Sequence, residues 1–245
     1  MNNIYFILLF VGQISFGQIS KKIEIPVYQN SNNKNDTSLW FKNYFKLGQE
    51  IKLPNLLQTK DTLYFRFWTH NQAIDIWTID KVKIFGMVTN FAERYDAKLL
   101  KKGQYKIDKV FYNTKKLDSL SARNIYKAIE NLNLVNIPSD EKIKGWSAGL
   151  DGVEYLIETS TKTYYSFKTY WTPFAFSDTL SEAKRIQKFV DYLFKDLNLW
   201  NFGDRLKLST GTFKTNGIPG VQIKTTIKTT KKQTKFGADQ IAISL

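Results

Sequence analysis

The chain has no cysteine. That excludes a disulfide framework, a thiolate metal site, a cysteine nucleophile and a cysteine-linked lipid. It has a single histidine, His70. One imidazole without a thiolate cannot supply two-histidine zinc ligation, so no metal is expected. A Ser-His-Asp triad would have to use that same residue. Its place beside Asn71, between two strand patterns, reads as a turn. Ser147, in Gly145-Trp146-Ser147-Ala148-Gly149, is not read as a triad nucleophile. The glycines between 145 and 152 are not followed by a lysine–serine pair and lead into a strand, so they do not form a phosphate loop. No cofactor is expected. Arginine is scarce as well: Arg66, Arg94, Arg123, Arg185 and Arg205 are five of 36 basic residues. The rest are lysine, a hydrated point charge poorly suited to bidentate reading of nucleic acid.

The charge that is present is large, +14 over 245 residues. Residues 205–245 hold Arg205, Lys207, Lys214, Lys224, Lys228, Lys231, Lys232 and Lys235 against Asp239 alone, which places half of the excess there. An excess of this kind favours solubility and loose attraction to an anionic surface. Hydrophobic residues make up 42% and aromatics 15%, enough for a packed core.

Long apolar runs are absent. Ile4 to Val11 is well short of the roughly 20 residues that span a bilayer, so no transmembrane segment is expected. With Ser15 and Gly17 two apart beyond it, residues 1–17 read as a secretory signal. The flanking Met1-Asn2-Asn3 carries no lysine or arginine, unlike the usual signal. The expected location is the periplasm or the cell surface.

The clearest local pattern runs from Gly145 to Leu199. Val153, Tyr155 and Ile157 alternate with Glu154, Leu156 and Glu158, as on a strand. Thr163 to Trp171 alternates likewise. Ser160, Thr161 and Lys162 suit a short loop, which sets Tyr155 opposite Phe167 and Glu154 opposite Lys168. Pro173 ends the second strand. Thr179 and Glu182 have capping-box spacing. From there Leu180, Ala183, Ile186, Val190, Leu193, Phe194 and Leu197 form one helical stripe.

Elsewhere, Lys21 to Tyr28 reads as an edge strand and Gln29 to Ser38 as a polar loop. Leu39-Trp40-Phe41 with Tyr44-Phe45 is an aromatic patch for the core or an interface. Strands are expected over Thr62–Thr69, Ala73–Ile79, Lys81–Val88 and Gln104–Tyr112. Asn90–Leu100 is open between strand and helix. Leu117–Leu134 is a helix that Asp118 or Ser119 can cap. The expectation is an α+β fold: an antiparallel sheet packed by two main helices, about 118–134 and 179–198. An α+β domain over 18–203 would then carry a basic, β-rich extension over 204–245.

Two stretches bear family likenesses. Gly149-Leu150-Asp151-Gly152, Tyr155-x-Ile157-Glu158 and Tyr170-Trp171-x-Pro173 before a helix resemble a unit of uncharacterised bacterial proteins. That resemblance implies no activity. Gly211-Thr212-Phe213, Gly217-Ile218-Pro219-Gly220-Val221 and Thr234-Lys235-Phe236-Gly237 are similar to the start of carboxypeptidase-regulatory-like β-sandwich modules. The acidic turn usual in those modules is reduced here to Phe236-Gly237-Ala238-Asp239.

Three carboxylates are the best catalytic candidates: Asp151, Glu154 and Glu158. Glu154 and Glu158 share a strand face about 13 Å apart, wide for the paired acids of a glycosidase. Trp146, Tyr164, Tyr170 and Trp171 are candidate ligand-binding rings beside lysines. The sequence therefore points to an exported, non-enzymatic binding or envelope-associated protein. Its partner would be an anionic envelope component or a protein. The alternative is a secreted, glycan-active hydrolase using the carboxylates near 145–158.

Overall fold

The computed structural model describes residues 21–29, 35–69, 71–149, 151–196, 206, 211–214 and 222–225. The signal segment over 1–17, His70 and most of the extension beyond 204 lie outside them.

The fold is α+β. The described residues form one open, mostly antiparallel sheet of nine strands, with a separate two-stranded ribbon. In chain order these are β1 (Lys22–Glu24), the ribbon pair β2 (Val27–Gln29) and β3 (Asn35–Thr37), helix α1 (Leu39–Glu50), β4 (Leu63–Thr69), β5 (Gln72–Thr78) and β6 (Ile84–Tyr95). Then follow the one-turn helix α2 (Ala97–Leu100), β7 (Ile107–Lys116), α3 (Ser119–Asn131), β8 (Glu154–Ser160), β9 (Tyr164–Trp171), α4 (Ser181–Asp191), β10 (Gly211–Lys214) and β11 (Gln222–Thr225). The sheet runs β1-β9-β8-β4-β5-β6-β10-β11, with β7 on the far edge of β6. Only β1, alongside β9, is parallel to its neighbour.

Both faces of the central strands are covered. Phe65, Phe67, Ile74, Ile76, Val88 and Ile157 pack under α3 and α4. Tyr64, Trp68, Ala73, Phe91, Leu156 and Phe167 pack under α1 and the turn after it. Strands buried on both sides lose the alternation of a half-exposed strand. This explains why β4, β5, β8 and β9 are buried almost from end to end. The third large helix, α1, differs from the two-helix expectation. Its stripe is Trp40, Tyr44, Leu47 and Ile51, at helical spacing. Asn90–Leu100 resolves as both alternatives in series: β6 continues to Tyr95, and α2 follows under an Asp96 cap.

The hairpin forms as expected, but in a different register. Tyr155 faces Tyr170, Glu154 faces Trp171, and Ile157 faces Lys168. The loop is Thr161 to Thr163, closed by the Thr161 amide donating to the Tyr164 carbonyl at 2.8 Å. With apolar residues wanted on both faces, alternation no longer selects one register. The capping box also fails. Leu180 occupies the cap position, Thr179 Oγ1 donates to the Phe176 carbonyl, and Ser181 bonds Glu182. α3 behaves as read: Asp118 caps it by accepting from the Ser121 amide at 2.8 Å.

One glycine is set by close approach. A Cβ on Gly86 of β6 would stand 2.7 Å from Leu117 Cδ1 and 2.9 Å from Ile76 Cδ1. The bare backbone there lets the start of α3 sit down on the sheet.

Candidate functional site

Three places concentrate polar chemistry. The first lies under α1. Arg66 Nε donates to Asp75 Oδ1 at 2.6 Å, and Nη2 reaches the Pro54 carbonyl at 3.1 Å. Nη1 lies 3.5 Å from Glu158 Oε1. That oxygen also accepts from Trp68 Nε1 at 2.7 Å, and Oε2 accepts from the Tyr165 hydroxyl at 2.7 Å. Burial pushes the Asp75 carboxyl up, against the pull of Arg66. Arg66, Asp75 and Glu158 are all buried. Glu158, one of the three expected acids, is thus committed to internal partners.

The second place is the outer edge of β9 beyond the short β1. No strand pairs with this half of β9 among the described residues. Side chains of the segment after α3 stand in for one. Ser139 Oγ accepts from the Thr169 amide at 3.0 Å, and Asp140 Oδ2 accepts from the Trp171 amide at 2.7 Å. Lys168 Nζ donates to the Val135 and Ile137 carbonyls at 2.7 and 2.8 Å, and the Tyr170 hydroxyl donates to Ile137 at 3.0 Å. Burial draws the Lys168 pKa down to about 8. Glu154 sits at the start of β8, facing Trp171 across the pair. Its Oε1 is buried and accepts no hydrogen bond. Burial, with Asp140 adding repulsion, pushes the Glu154 carboxyl up to about 8. Asp140 is itself raised by burial.

The candidate rings belong to this second place. Trp146 is buried, donates Nε1 to the Trp171 carbonyl at 2.8 Å and packs on Tyr170 and Phe176. Tyr170 is fully buried. Trp171 is half-buried and lies against Gly149 and Gly152, where a Cβ would strike its ring. Tyr164 is half-buried and donates to Glu24 Oε2 at 2.6 Å. Together these rings anchor the 143–153 loop and β1 to β9. Asp151 is exposed in that loop and joins neither Glu154 nor Glu158. Gly145–Gly149 does carry Gly-x-Ser-x-Gly spacing. The exposed Ser147, however, sits in a loop leading to a strand, not on the strand-to-helix turn of a nucleophile elbow.

The third place is a cleft of about 720 Å³ between α1 and the far end of the sheet. α1 supplies Trp40 and Tyr44, with ring centroids 6.1 Å apart and planes tilted by 42°. Phe91 of β6 is buried and forms part of the lining. Tyr105, just ahead of β7, is 58% exposed and stands edge-on to Tyr95. Each lining acid is paired. Glu93 meets Lys214 at 2.9 Å, Asp108 meets Arg94 at 2.8 Å, and Glu50 meets Lys46 at 3.8 Å. Lys106, exposed, has no described acid within ion-pair distance, and the exposed Lys109 holds its Nζ over the Phe111 ring, 4.8 Å from the ring centroid. No cluster of three metal-ligating side chains occurs among the described residues.

Sequence reasoning did not find this cleft. The usable signal was the Trp40-Tyr44-Leu47 spacing, which marks a helix with an aromatic face. The opposite wall, Tyr105 to Val110, carries no local mark of its role, because tertiary packing alone brings it to α1.

No known family, curated protein or solved structure matches the chain.

Proposed function

We propose that this chain is an exported, non-enzymatic binding protein, associated with the cell envelope or exterior, that takes its ligand in the cleft between α1 and β6–β7. The observation that carries the reading is the lining of that cleft. Rings stand on two walls, and each lining carboxylate is held by a cation. A general acid or base needs a carboxylate free to exchange a proton with substrate. Paired acids beside rings suit holding a ligand without cutting it. The signal read over residues 1–17 supports export.

The test is calorimetric titration of the full mature chain with a panel of neutral and acidic oligosaccharides, acidic peptides and nucleotides. Products are followed by mass spectrometry. At least one panel member should bind, stay intact, and lose tenfold or more in affinity with Trp40→Ala. Turnover of a bound ligand, or a full panel indifferent to Trp40→Ala, would overturn the proposal.

One observation favours the hydrolase alternative. Glu154, pushed up to about 8 beside Asp140, has the proton affinity of a general acid at neutral pH. Asp151 is exposed and Glu158 is engaged elsewhere, so the partner carboxylate in that reading is Asp140. Glycan cleavage abolished by both Glu154→Gln and Asp140→Asn would establish it.

A further inference from the structure

We propose that the tip of the β5–β6 hairpin, Ile79 to Phe85, is a wedge that seats the protein on an anionic lipid bilayer, with the lysines around it on the headgroups. This surface lies at the opposite end of the sheet from the cleft, so it stands apart from the binding reading above.

A hairpin tip in water is ordinarily polar, and this one is not. Ile79, Val82 and Phe85 are 63%, 72% and 42% exposed. Single exposed apolar side chains are ordinary on a protein surface, but three on one turn mark a contact. The turn is also held rigid. The Val82 and Lys83 amides donate to Asp80 Oδ1 at 2.9 and 2.8 Å, and the Lys81 amide donates to Thr78 Oγ1 at 2.8 Å. Behind it the Phe85 ring stacks on Trp77, and Trp77 on Tyr64, with centroids 5.6 Å apart in both pairs. A turn fixed in this way gives up little freedom on binding.

The charge at the same end points to what covers the tip. Thr78 is level with Ile84 and Leu63, Tyr64 with Ser160, and Met87 with Lys116. Lys22 is level with Tyr164, at the start of β9. This register places Lys22, Lys60, Lys81, Lys83, Lys116 and Lys162 along one end of the sheet. All six are exposed, and none has a described acid within ion-pair distance. The acids at this end are fewer and engaged: Asp80 holds the turn, Asp118 caps α3, and Asp61 attracts Lys21. Protein interfaces are enriched in arginine and depleted in lysine. A bilayer surface asks for point charges at its headgroups and for apolar side chains that reach the acyl boundary. Each lysine beside an anionic leaflet adds about fivefold in affinity, and salt weakens the effect.

The test is co-sedimentation of the full mature chain with vesicles, at two salt concentrations. One set is phosphatidylcholine alone, the other equal parts of phosphatidylcholine and phosphatidylglycerol. The anionic vesicles should bind at least tenfold tighter, and salt should weaken that binding. Lys81→Gln/Lys83→Gln should lose about tenfold or more, and Ile79→Ser/Val82→Ser a similar factor. All four side chains are exposed, so neither variant disturbs the core. The chain has no cysteine, so Val82→Cys takes a single environment-sensitive dye. Its emission should shift to the blue on anionic vesicles. The same dye on the exposed Lys102→Cys, at the other end of the sheet, should not shift. Binding that survives both tip variants, as attraction through the lysine-rich 205–245 would, overturns the proposal. So does an unshifted Val82→Cys dye on vesicle-bound protein, equal affinity for the two sets of vesicles, or a chain that ignores both. Self-association abolished by Ile79→Ser/Val82→Ser, without vesicle binding, gives the tip to a second copy and overturns it as well. None of these outcomes touches Trp40-dependent binding in the cleft, so the two readings fail separately.

Discussion

Glu154→Gln separates a buried acid from its shape. In the native chain burial, with Asp140 next, moves this carboxyl from its ordinary value of 4.5 to about 8. Glu141 adds to the repulsion, and the Glu154 charge in turn helps to push up the Tyr44 hydroxyl of α1. The folded state therefore holds the proton more tightly than the unfolded chain. Below pH 4.5 both states are protonated and the group is neutral to stability. Between pH 4.5 and 8 only the unfolded chain gains by releasing the proton, so folding loses stability as pH rises. Above pH 8 the loss is complete. At about 1.4 kcal/mol per pH unit, the displacement amounts to about 5 kcal/mol. Glutamine keeps the volume and never ionises. Urea denaturation of both proteins at pH 4, 6 and 9 should therefore give near-equal stabilities at pH 4. The variant should gain by pH 6 and lead by several kcal/mol at pH 9. Titrating groups that do not interact with Glu154 are common to both proteins and cancel in the difference; Asp140, which repels Glu154, shares in the measured change. A difference that stays flat from pH 4 to 9 would refute the argument, because the charge on Glu154 would then cost nothing to bury.

Three further outcomes follow from burial. Arg66→Met leaves Asp75 and Glu158 buried without their cation and should cost about 3–5 kcal/mol in equilibrium unfolding; a loss under 1 kcal/mol would mean the network is solvated. Phe189→Ala removes a fully buried ring packed edge-on against Phe65 and Phe67, at 5.8 and 5.3 Å, and should cost about 3–5 kcal/mol. Leu120→Ala in α3, 69% exposed, should stay within about 0.5 kcal/mol in the same assay.

Much of the fold was legible because it is local. The Asp118 cap and the Ile125–Ile129 stripe define α3 within one stretch of chain. The β4–β5 and β8–β9 hairpins are visible from paired strand patterns a few residues apart. What depends on partners was not legible. The β8–β9 register came out differently because α1 buries the second face of the sheet, and a sequence window cannot know that both faces are covered. The rings Trp146, Tyr170 and Trp171 looked like a ligand surface, yet they fasten a loop to a strand edge. Their chemistry suits either task, and only the neighbours decide. The Glu154–Asp140 pair joins residues from two segments and has no sequence signature at all.

Residue order alone thus settled the α+β class, most of the sheet strands, helices α3 and α4, the basic charge and the lack of thiolate or two-histidine metal chemistry, since each depends on composition or on short-range periodicity. Tertiary structure decided which acids are neutralised, which rings are exposed and where the chain leaves a concave surface. Those properties arise from burial and from distances between remote segments, and neither quantity exists until the chain has folded.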